Sequence, residues 1–177
     1  MFFTKTPING VMLAEVKRIE DDRGFFGRVW CQREFVEHGL DSRVAQINTA
    51  LTHRAGTVRG MHYQDPPHAE TKVVRCTRGR LFDIALDLRP DSHTFLKWFG
   101  VELSPENQSM LVVPPGCAHG YQTLEDSTEM MYLTSECYAP HAVKGVRHND
   151  PAISINWPLP VHSISLQDAS WPDFTVH

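Results

Sequence analysis

Short apolar runs separated by turn residues occupy most of this chain and limit the folds open to it. Its 12 prolines and 11 glycines are scattered between segments of strand length, and these residue types interrupt helices and mark turns. A helical pattern covers residues 33–38, with Gly39 just beyond the last periodic position, where glycine often ends a helix. Many short strands with little helix are typical of an antiparallel sandwich or barrel, and we expect an all-β fold.

Individual strands are predicted from their apolar patterns. Residues 72–76 and 81–88 flank a turn-like tetrapeptide at 77–80, an arrangement that predicts a β-hairpin. Side chains alternate between the two faces of a strand, and in the second run four apolar ones share a face: Phe82, Ile84, Leu86 and Leu88. The other strand candidates are residues 43–51, 109–113, 129–133 and 154–157.

Length, composition and charge restrict the functional class. The chain has 177 residues, 41% of them hydrophobic and 21% charged, without repeats or a linker, and we expect a single domain over residues 1–177. The net charge of −4 argues against a nucleic-acid binder. The first residues lack the pattern of a secretion signal, and no stretch reaches the apolar length of a membrane span. We therefore expect a cytoplasmic protein without a membrane partner.

Four cysteines, Cys31, Cys76, Cys117 and Cys137, lie far apart and form no Cys-x-x-Cys pair. Their spacing matches neither a zinc site nor a thioredoxin-type motif. We interpret them as reduced thiols with a packing role.

Polar side chains recur at alternating positions in two strand-like segments. In residues 56–64, Gly60, His62 and Gln64 fall on one face of a strand. Upstream, one predicted face carries Gln46, Asn48, Ala50 and Thr52, and the other carries Ile47 and Leu51. A barrel with an interior lined by Gln, Asn, His and Arg holds a ligand rather than a packed core.

Two histidines belong to segments of this kind: His62, and His119, which follows a proline-glycine turn in residues 114–120. His62 alone is as compatible with a hydrogen-bonded core histidine as with a functional one. Two histidines on adjoining strands indicate either metal ligation or acid–base chemistry.

Both histidine segments resemble the paired motifs of the cupin superfamily, a small jelly-roll barrel that often binds a metal through three histidines and a glutamate. Where a metal-binding cupin has His-x-His, this chain has His62-Tyr63-Gln64. An amide oxygen is a poor substitute for imidazole at a transition-metal site. We therefore expect a cupin-type double-stranded β-helix with a few short helices and no metal.

Eight short motifs stand in order along most of the chain. They are DDRGFF at 21–26, QIN at 46–48, RGMHYQ at 59–64, KVVR at 72–75, DLR at 87–89, PGCAHG at 115–120, NDP at 149–151 and SLQD at 165–168. Together they resemble the dTDP-4-dehydrorhamnose 3,5-epimerase family. The resemblance implies a cofactor-free epimerase that inverts carbon 3, carbon 5 or both in a nucleotide-linked 4-keto-6-deoxyhexose. The implied reaction converts dTDP-4-dehydro-6-deoxy-D-glucose to dTDP-4-dehydro-L-rhamnose.

The resemblance implies catalytic roles for four residues. Protons beside a ketone are acidic because the carbanion delocalises onto the oxygen as an enolate, and inversion needs a base on one face and an acid on the other. His62 is the expected base, with Asp168 orienting its imidazole and stabilising its protonated form. Lys72 is expected to stabilise the enolate, and Tyr132 to return a proton from the opposite face. The alternatives are a solvated strand lysine and a buried tyrosine with a bonded hydroxyl.

Substrate-binding roles are implied in the same way. Arg23 and Arg59 are candidates for the diphosphate, since guanidinium groups match phosphate oxygens in paired geometry. The aromatic faces of Phe26 and Tyr138 are candidates for stacking on the base. The other candidates are Gln46 and Asn48 for polar edges and His119 for the sugar or the phosphate.

Several alternatives stay open from the sequence. No glycine-rich phosphate loop follows a strand and opens a helix, so no nicotinamide cofactor is expected. A nucleotide-sugar ketoisomerase, a single-position epimerase, a non-catalytic sugar-binding cupin and a metal-dependent oxygenase would use the same barrel. We also expect a homodimer in which the N-terminal segment completes the partner's sheet or site, because exposed strand edges must be covered.

Four positions depart from the family pattern: Arg28 and Val143 stand where glutamate is frequent, Leu133 where lysine is common and Cys137 where an aromatic residue is common. Arg28 reverses the local charge and removes a hydrogen-bond acceptor. We therefore expect a nucleotide diphosphate to bind with a weaker preference for thymine over other pyrimidines than in typical relatives.

Overall fold

The computed structural model describes residues 1–175, in which strands and turns predominate. In chain order the strands are β1 Phe2–Lys5, β2 Met12–Glu15, β3 Arg18–Asp21, β4 Gly24–Gly27, β5 Gln46–Thr52, β6 Val58–Gln64, β7 Lys72–Arg78, β8 Leu81–Asp87, β9 Trp98–Leu103, β10 Ser109–Val113, β11 Cys117–Thr123, β12 Thr128–Thr134 and β13 Val143–Gly145. The helices are α1 Gln32–Glu37, a short 3₁₀ helix Pro140–Ala142 and α2 Leu166–Ala169. Within residues 1–175 no helix is both long and apolar enough to cross a bilayer. The expected all-β fold with a few short helices is confirmed.

Two antiparallel sheets form the body of the fold. One has six strands in the order β1-β2-β10-β7-β12-β5, and the other has five in the order β13-β6-β11-β8-β9. β3 and β4 form a separate hairpin. Many neighbours within a sheet are far apart in sequence, such as β2 beside β10 and β6 beside β11. Long-range antiparallel pairing in two sheets is the jelly-roll arrangement.

Three apolar clusters pack on these sheets. The first lies between them and takes buried side chains from both: Val74, Leu111 and Met130 from the six-stranded sheet, and Leu81, Leu103 and Tyr121 from the five-stranded one. The second packs Phe35 of α1 on the six-stranded sheet. The third covers the other face of the five-stranded sheet, where Ile84 and Leu86 meet Ile153 and Trp157. Polar side chains line the remaining part of the space between the two sheets.

β7 and β8 do not form the hairpin that the sequence predicts. β7 pairs with β10 and β12, whereas β8 pairs with β9 and β11 in the other sheet. Gly79, at a φ of 70°, turns the chain from one sheet to the other. β8 is buried on both faces, because Leu81 and Ala85 pack in the cluster between the sheets while Ile84 and Leu86 pack in the third cluster. The predicted shared face is confirmed, and it packs in the third cluster: Phe82, Ile84, Leu86 and Leu88.

Two predicted elements have shifted ends. The helix predicted at 33–38 is α1, displaced by one residue, with Gly39 at a φ of 70° beyond it. The strand predicted at 43–51 begins at Gln46 and continues to Thr52. The strands predicted at 109–113 and 129–133 are confirmed as β10 and as part of β12.

The prediction of a strand at residues 154–157 is wrong. Ser154 has a φ of 52°, which breaks an extended conformation, and the segment pairs with neither sheet. Its alternating apolar side chains, Ile155 and Trp157, pack on the five-stranded sheet instead. The alternation therefore reflects burial of one side of an irregular segment.

The four cysteines are free thiols. Cys76 and Cys117 lie in the cluster between the sheets, where burial raises the pKa of the Cys76 thiol to about 11 and that of Cys117 to about 12. A thiol with such a pKa carries little thiolate at neutral pH and is a poor nucleophile. These two cysteines have the packing role that the sequence predicts.

Asp87, the last residue of β8, organises the loop that follows. Its buried carboxylate accepts hydrogen bonds from Arg89 Nε at 2.8 Å, from Ser92 Oγ at 2.6 Å and from Thr94 Oγ1 at 2.6 Å. Burial alone would raise the pKa of Asp87, but these hydrogen bonds outweigh it and lower the pKa to about 2. The folded state therefore favours the ionised form.

Replacing Asp87 by Asn should lower the free energy of unfolding and make that free energy depend less on pH in the acidic range. Because the pKa falls from an ordinary 3.8 to about 2 on folding, the carboxylate stabilises the folded state by about 2 kcal/mol above pH ~4. That contribution is lost as the pH falls towards 2. Urea unfolding near neutral pH and near pH ~3 measures both effects. Asp91→Asn, at an exposed position of the same loop, is the control, and an unchanged pH dependence in Asp87→Asn would contradict the prediction.

Candidate active site

The open part of the space between the sheets is a cavity of about 620 Å³, a volume that suits a small-molecule ligand. β5, β7 and β12 of the six-stranded sheet contribute to one wall, and β6 and β11 of the five-stranded sheet to the other. Nine of the residues predicted from the sequence line it: Gln46, Asn48, Arg59, His62, Lys72, His119, Tyr132, Tyr138 and Asp168. The two others, Arg23 and Phe26, lie on the β3–β4 hairpin and do not line the cavity.

A close approach of β6 to β11 decides which β6 side chains enter the cavity. A Cβ added at Gly60, which has a φ of 113°, would come 2.6 Å from the β11 backbone, so glycine is required there. One extra β6 residue lies between two paired positions, which forms a bulge. Arg59 and His62, three residues apart, therefore both line the cavity. The predicted shared face is confirmed for His62 and Gln64, while Gly60 belongs to the bulge.

His62 and Asp168 form a hydrogen-bonded pair at the cavity wall. His62 Nε2 lies 2.5 Å from Asp168 Oδ1, and Oδ2 accepts the Gly60 backbone N–H at 3.2 Å. Burial raises the pKa of Asp168, but the hydrogen bond and charge of His62, together with hydrogen bonds from Gly60 and Ser165, outweigh burial and hold the pKa below its ordinary value. In the tautomer that donates Nε2–H to this carboxylate, Nδ1 is the proton acceptor. The imidazole is 36% exposed, so it is open to a ligand.

Lys72, the first residue of β7, places its ammonium beside the carboxylate of Glu70. The Nζ–Oε1 distance is 3.1 Å, and both side chains are largely buried. Nζ also donates to the backbone carbonyl of His62 at 3.5 Å, and Gln64 Nε2 donates to the second Glu70 oxygen at 3.2 Å. Lys72 is therefore not the solvated strand lysine that the sequence left open.

Glu70 lines the cavity but is not predicted from the sequence. It stands two residues before Lys72, and positions two apart lie on the same side of an extended chain. This two-residue spacing is the feature of the sequence from which Glu70 could have been predicted.

Tyr132, on β12, approaches the cavity from the sheet opposite the one that carries His62. Its ladder partner is Asn48 on β5. Burial raises the pKa of the Tyr132 hydroxyl, and the nearby Glu70 carboxylate raises it further. A tyrosine with a raised pKa stays protonated at neutral pH and keeps a proton to donate.

His119, on β11, pairs with a second carboxylate, Asp83 on β8. The Nε2–Oδ1 distance is 2.7 Å, and Asp83 is fully buried. Burial raises the pKa of Asp83, and the charge of His119 opposes that rise. Both predicted histidines thus direct Nε2 at a carboxylate, and residues 1–175 contain no group of three His, Cys, Asp or Glu side chains placed to hold a metal ion. Asp83 was missed, although a carboxylate between the apolar residues Phe82 and Ile84 of β8 is a signal for a buried partner.

Arg59 supplies a guanidinium whose hydrogen-bond partners are neutral. Nε donates to Thr52 Oγ1 at 3.1 Å, and Nη2 donates to the Leu51 carbonyl at 3.4 Å. Since neither partner carries a charge, the positive charge of Arg59 remains available to an anion.

At the rim of the cavity, Tyr138 is 65% exposed, and its backbone N–H donates to Gln46 Oε1 at 2.9 Å. The predicted alternation along β5 is confirmed: Gln46, Asn48 and Ala50 line the cavity, while Ile47 and Leu51 are exposed.

The β3–β4 hairpin carries its two predicted binding residues into solvent. Arg23 pairs with Asp21 at 2.6 Å and has a side chain 89% exposed. Phe26 is 66% exposed. Within one chain these residues have no contact with the cavity they are expected to serve.

The four departures from the family pattern occupy different environments. Arg28 lies outside the cavity, with Nη1 3.3 Å from Glu34 Oε1. Val143 lines the cavity. Leu133 is buried in the cluster on which α1 packs, and Cys137 is exposed.

Two antiparallel sheets around a cavity that holds histidine, lysine, tyrosine and carboxylate side chains define a cupin-type barrel equipped for proton transfer. The family model for dTDP-4-dehydrorhamnose 3,5-epimerase matches residues 5–175. The chain belongs to that family.

Individual relatives agree with this assignment. A dTDP-4-dehydrorhamnose 3,5-epimerase from Sinorhizobium fredii is 41% identical over 173 residues, which cover 97% of this chain and 89% of the relative. The crystal structure of a dTDP-4-dehydrorhamnose 3,5-epimerase from Elizabethkingia anophelis superposes with a TM-score of 0.95 at 36% identity, covering 98% of this chain and 96% of that one. A dTDP-6-deoxy-D-glucose-3,5-epimerase from Legionella pneumophila, in complex with dTDP-4-keto-L-rhamnose, gives 0.89 at 31% identity, covering 99% of both.

Replacing Glu70 by Gln should lower the pKa of the Tyr132 hydroxyl, because the Glu70 carboxylate contributes to its rise. Carbon NMR titration of tyrosines labelled at the ring carbon that bears oxygen measures this pKa without any assay of activity. Glu129→Gln is the matched control, since Glu129 is a carboxylate on the same strand that bonds Thr77 instead. A Tyr132 pKa that is the same in Glu70→Gln as in wild type would show that burial alone raises it.

Proposed function

We propose that this chain is an epimerase of nucleotide-linked 4-keto-6-deoxy sugars that converts dTDP-4-dehydro-6-deoxy-D-glucose to dTDP-4-dehydro-L-rhamnose. One observation carries the proposal: His62 and Tyr132 reach the same cavity from opposite sheets. A sugar held between them meets a proton acceptor on one side and a proton donor on the other, which is what inversion of a carbon requires. The names of the relatives support the choice of substrate.

His62 is the proposed base. Its Nδ1 takes a proton from a carbon beside the ketone, and the electron pair of that C–H bond moves into the enolate. Asp168, hydrogen-bonded to Nε2, stabilises the imidazolium that forms. General base catalysis of this kind contributes roughly 10²–10⁴-fold.

Lys72 is the proposed partner of the enolate oxygen. Its ammonium is largely buried, and an ammonium in such surroundings interacts with developing negative charge more strongly than in water. Glu70 holds this ammonium at 3.1 Å and so positions it before substrate arrives.

Tyr132 is the proposed acid. It donates its proton to the opposite side of the enolate carbon, which restores the ketone with inverted configuration. The His62 imidazolium then releases its proton to solvent, and the tyrosinate takes one up from solvent, so both groups return to their starting state. Because carbon 3 and carbon 5 flank the same ketone, both inversions use the same groups. No electrons leave the substrate, so we propose no cofactor.

The nucleotide is proposed to lie towards the rim of the cavity. Arg59, whose partners are neutral, suits the diphosphate. Tyr138 offers an exposed ring for stacking on the base, and Gln46 and Asn48 offer polar edges. His119 is proposed to contact the sugar or the phosphate, and the weaker preference for thymine expected from Arg28 stays a prediction.

A homodimer is proposed in which the β3–β4 hairpin serves the cavity of the partner. Arg23 and Phe26 extend away from the cavity of their own chain, which supports this proposal. Exposed apolar side chains on the hairpin and on the edge strand β5 also favour a covering partner. These side chains are Ile19, Phe25, Phe26, Ile47 and Leu51. A single domain over residues 1–177 and a cytoplasmic location also stay predictions.

Incubation of the protein with dTDP-4-dehydro-6-deoxy-D-glucose in heavy water tests the function. Deuterium at both carbons beside the ketone is the expected result. Deuterium at one carbon would indicate a single-position epimerase, and a displaced ketone would indicate a ketoisomerase. Binding without exchange would indicate a non-catalytic sugar-binding barrel.

Two substitutions should separate the roles of base and acid. His62→Ala should abolish exchange, because no other proposed group removes the proton, while affinity for dTDP persists. Tyr132→Phe should retain exchange on the side of the base and lose formation of the inverted product. Mass spectrometry for deuterium and calorimetry with dTDP measure the outcomes. Equal loss of exchange in both variants would contradict the division of roles.

Mixing two defective variants should restore activity if the hairpin serves the partner. Arg23→Ala alters the hairpin, and His62→Ala alters the cavity, so each homodimer has two defective sites. A mixed dimer has one intact site, and random mixing should recover about a quarter of wild-type activity. Light scattering reports the dimer in the same samples. A monomeric wild type, full activity in Arg23→Ala, or no recovery on mixing would overturn the proposal.

A further inference from the structure

Residues 165–174, the C-terminal strap, supply Asp168 but belong to neither main sheet. The regular part of the strap is α2, a helix of 4 residues in which Ser165 Oγ accepts the Asp168 backbone N–H at 3.0 Å. A helix of this length has no stability of its own in water. The position of Asp168 therefore depends on what the strap contacts.

Beyond α2 the strap is attached to the segment that follows β13. Arg147 Nη2 pairs with Asp173, and the Phe174 backbone N–H donates to Asp150 Oδ2 at 2.7 Å. These contacts hold the far end of the strap, six residues from Asp168.

Trp171 makes a contact beside the site. Its ring packs on Gly145, where an added Cβ would come 2.2 Å from Trp171 Nε1. Gly145 is also the residue of β13 that pairs with His62 on β6. The Trp171 indole therefore touches Gly145, which pairs with His62. Three residues before Trp171, Asp168 supplies the carboxylate that bonds the His62 imidazole. Trp171 Nε1 is buried without a hydrogen-bond partner in residues 1–175, so shape holds the ring there.

We propose that Trp171, seated on Gly145, is a positioning residue that holds Asp168 within hydrogen-bond reach of His62. This inference rests on the proposed function, in which His62 is the base and Asp168 orients it. Acid–base groups are sensitive to placement, and a displacement of ~1 Å can reduce a rate by about 100-fold.

Gly145→Ala tests the proposal, because its Cβ collides with the indole and displaces the strap. We expect kcat for ring-proton exchange to fall by about 100-fold, with affinity for dTDP unchanged. Adding Trp171→Ala should make room for the Cβ, so the double variant should be more active than Gly145→Ala alone. Trp171→Phe, which keeps a flat ring, should retain most of the wild-type kcat.

Gly100→Ala is the matched control. Gly100 lies on β9 in the same sheet as His62, and its added Cβ would come 2.2 Å from Phe82 Cζ, the same kind of collision outside the cavity. It should lower the melting temperature about as much as Gly145→Ala while leaving kcat unchanged. Equal loss of kcat in the two variants, or full kcat in Gly145→Ala, would overturn the proposal. If Gly145→Ala does not fold, the comparison of Trp171→Ala with Trp171→Phe decides, and equal kcat in these two would overturn it.

A second readout is independent of catalysis. The proton in the His62–Asp168 hydrogen bond should give a downfield proton NMR resonance that is present in wild type and Gly100→Ala and absent in Gly145→Ala. If wild type shows this resonance but exchanges no sugar protons, the proposed function fails while the positioning role is still measured. A resonance that persists in Gly145→Ala would overturn the positioning role whatever the activity.

Discussion

The apolar outer face of the five-stranded sheet has to be covered, and the chain after β13 covers it. Ile84 and Leu86 on that face are fully buried against Ile153 and Trp157. Burial of side chains of this size stabilises a fold by roughly 1.5–3 kcal/mol each. The segment that provides this cover leads into Asp168. Packing of a sheet face and delivery of a carboxylate to His62 are thus properties of one stretch of chain, and the geometry of the site follows from the packing.

Charge in the cavity is arranged in compensated pairs. Lys72 faces Glu70, and each cavity histidine faces an aspartate. Removing charges from water is costly unless a partner and hydrogen bonds compensate them, so a largely buried ammonium needs its carboxylate. Arg59 differs because its partners are neutral. This contrast supports the proposal that Arg59 binds the diphosphate, although the chain has a net charge of −4.

The alternation of side chains along single strands predicted which residues line the cavity better than it predicted which strands share a sheet. The cavity face of β5 and the placement of His62 and Gln64 follow from alternation within one strand, which is local information. Membership of a sheet is not local: the turn at Gly79 has the sequence of a hairpin, yet its two strands find partners elsewhere. Glu70 and Asp83 were missed for a related reason. Asp83 bonds His119 on β11, and Glu70 accepts a hydrogen bond from Gln64 on β6, so these contacts are not visible within one segment of sequence.

The pairing of distant strands has a consequence for how the molecule forms. Leu13 on β2 lies opposite Leu111 on β10, so this pair of strands, distant in sequence, cannot form until more than half of the chain exists. Chains dominated by such long-range contacts fold slowly, typically in milliseconds to seconds. Asp168 comes after all of the strands. During synthesis, a nascent chain that has completed its barrel would still lack Asp168, so the hydrogen-bonded pair at His62 forms after the strands are made.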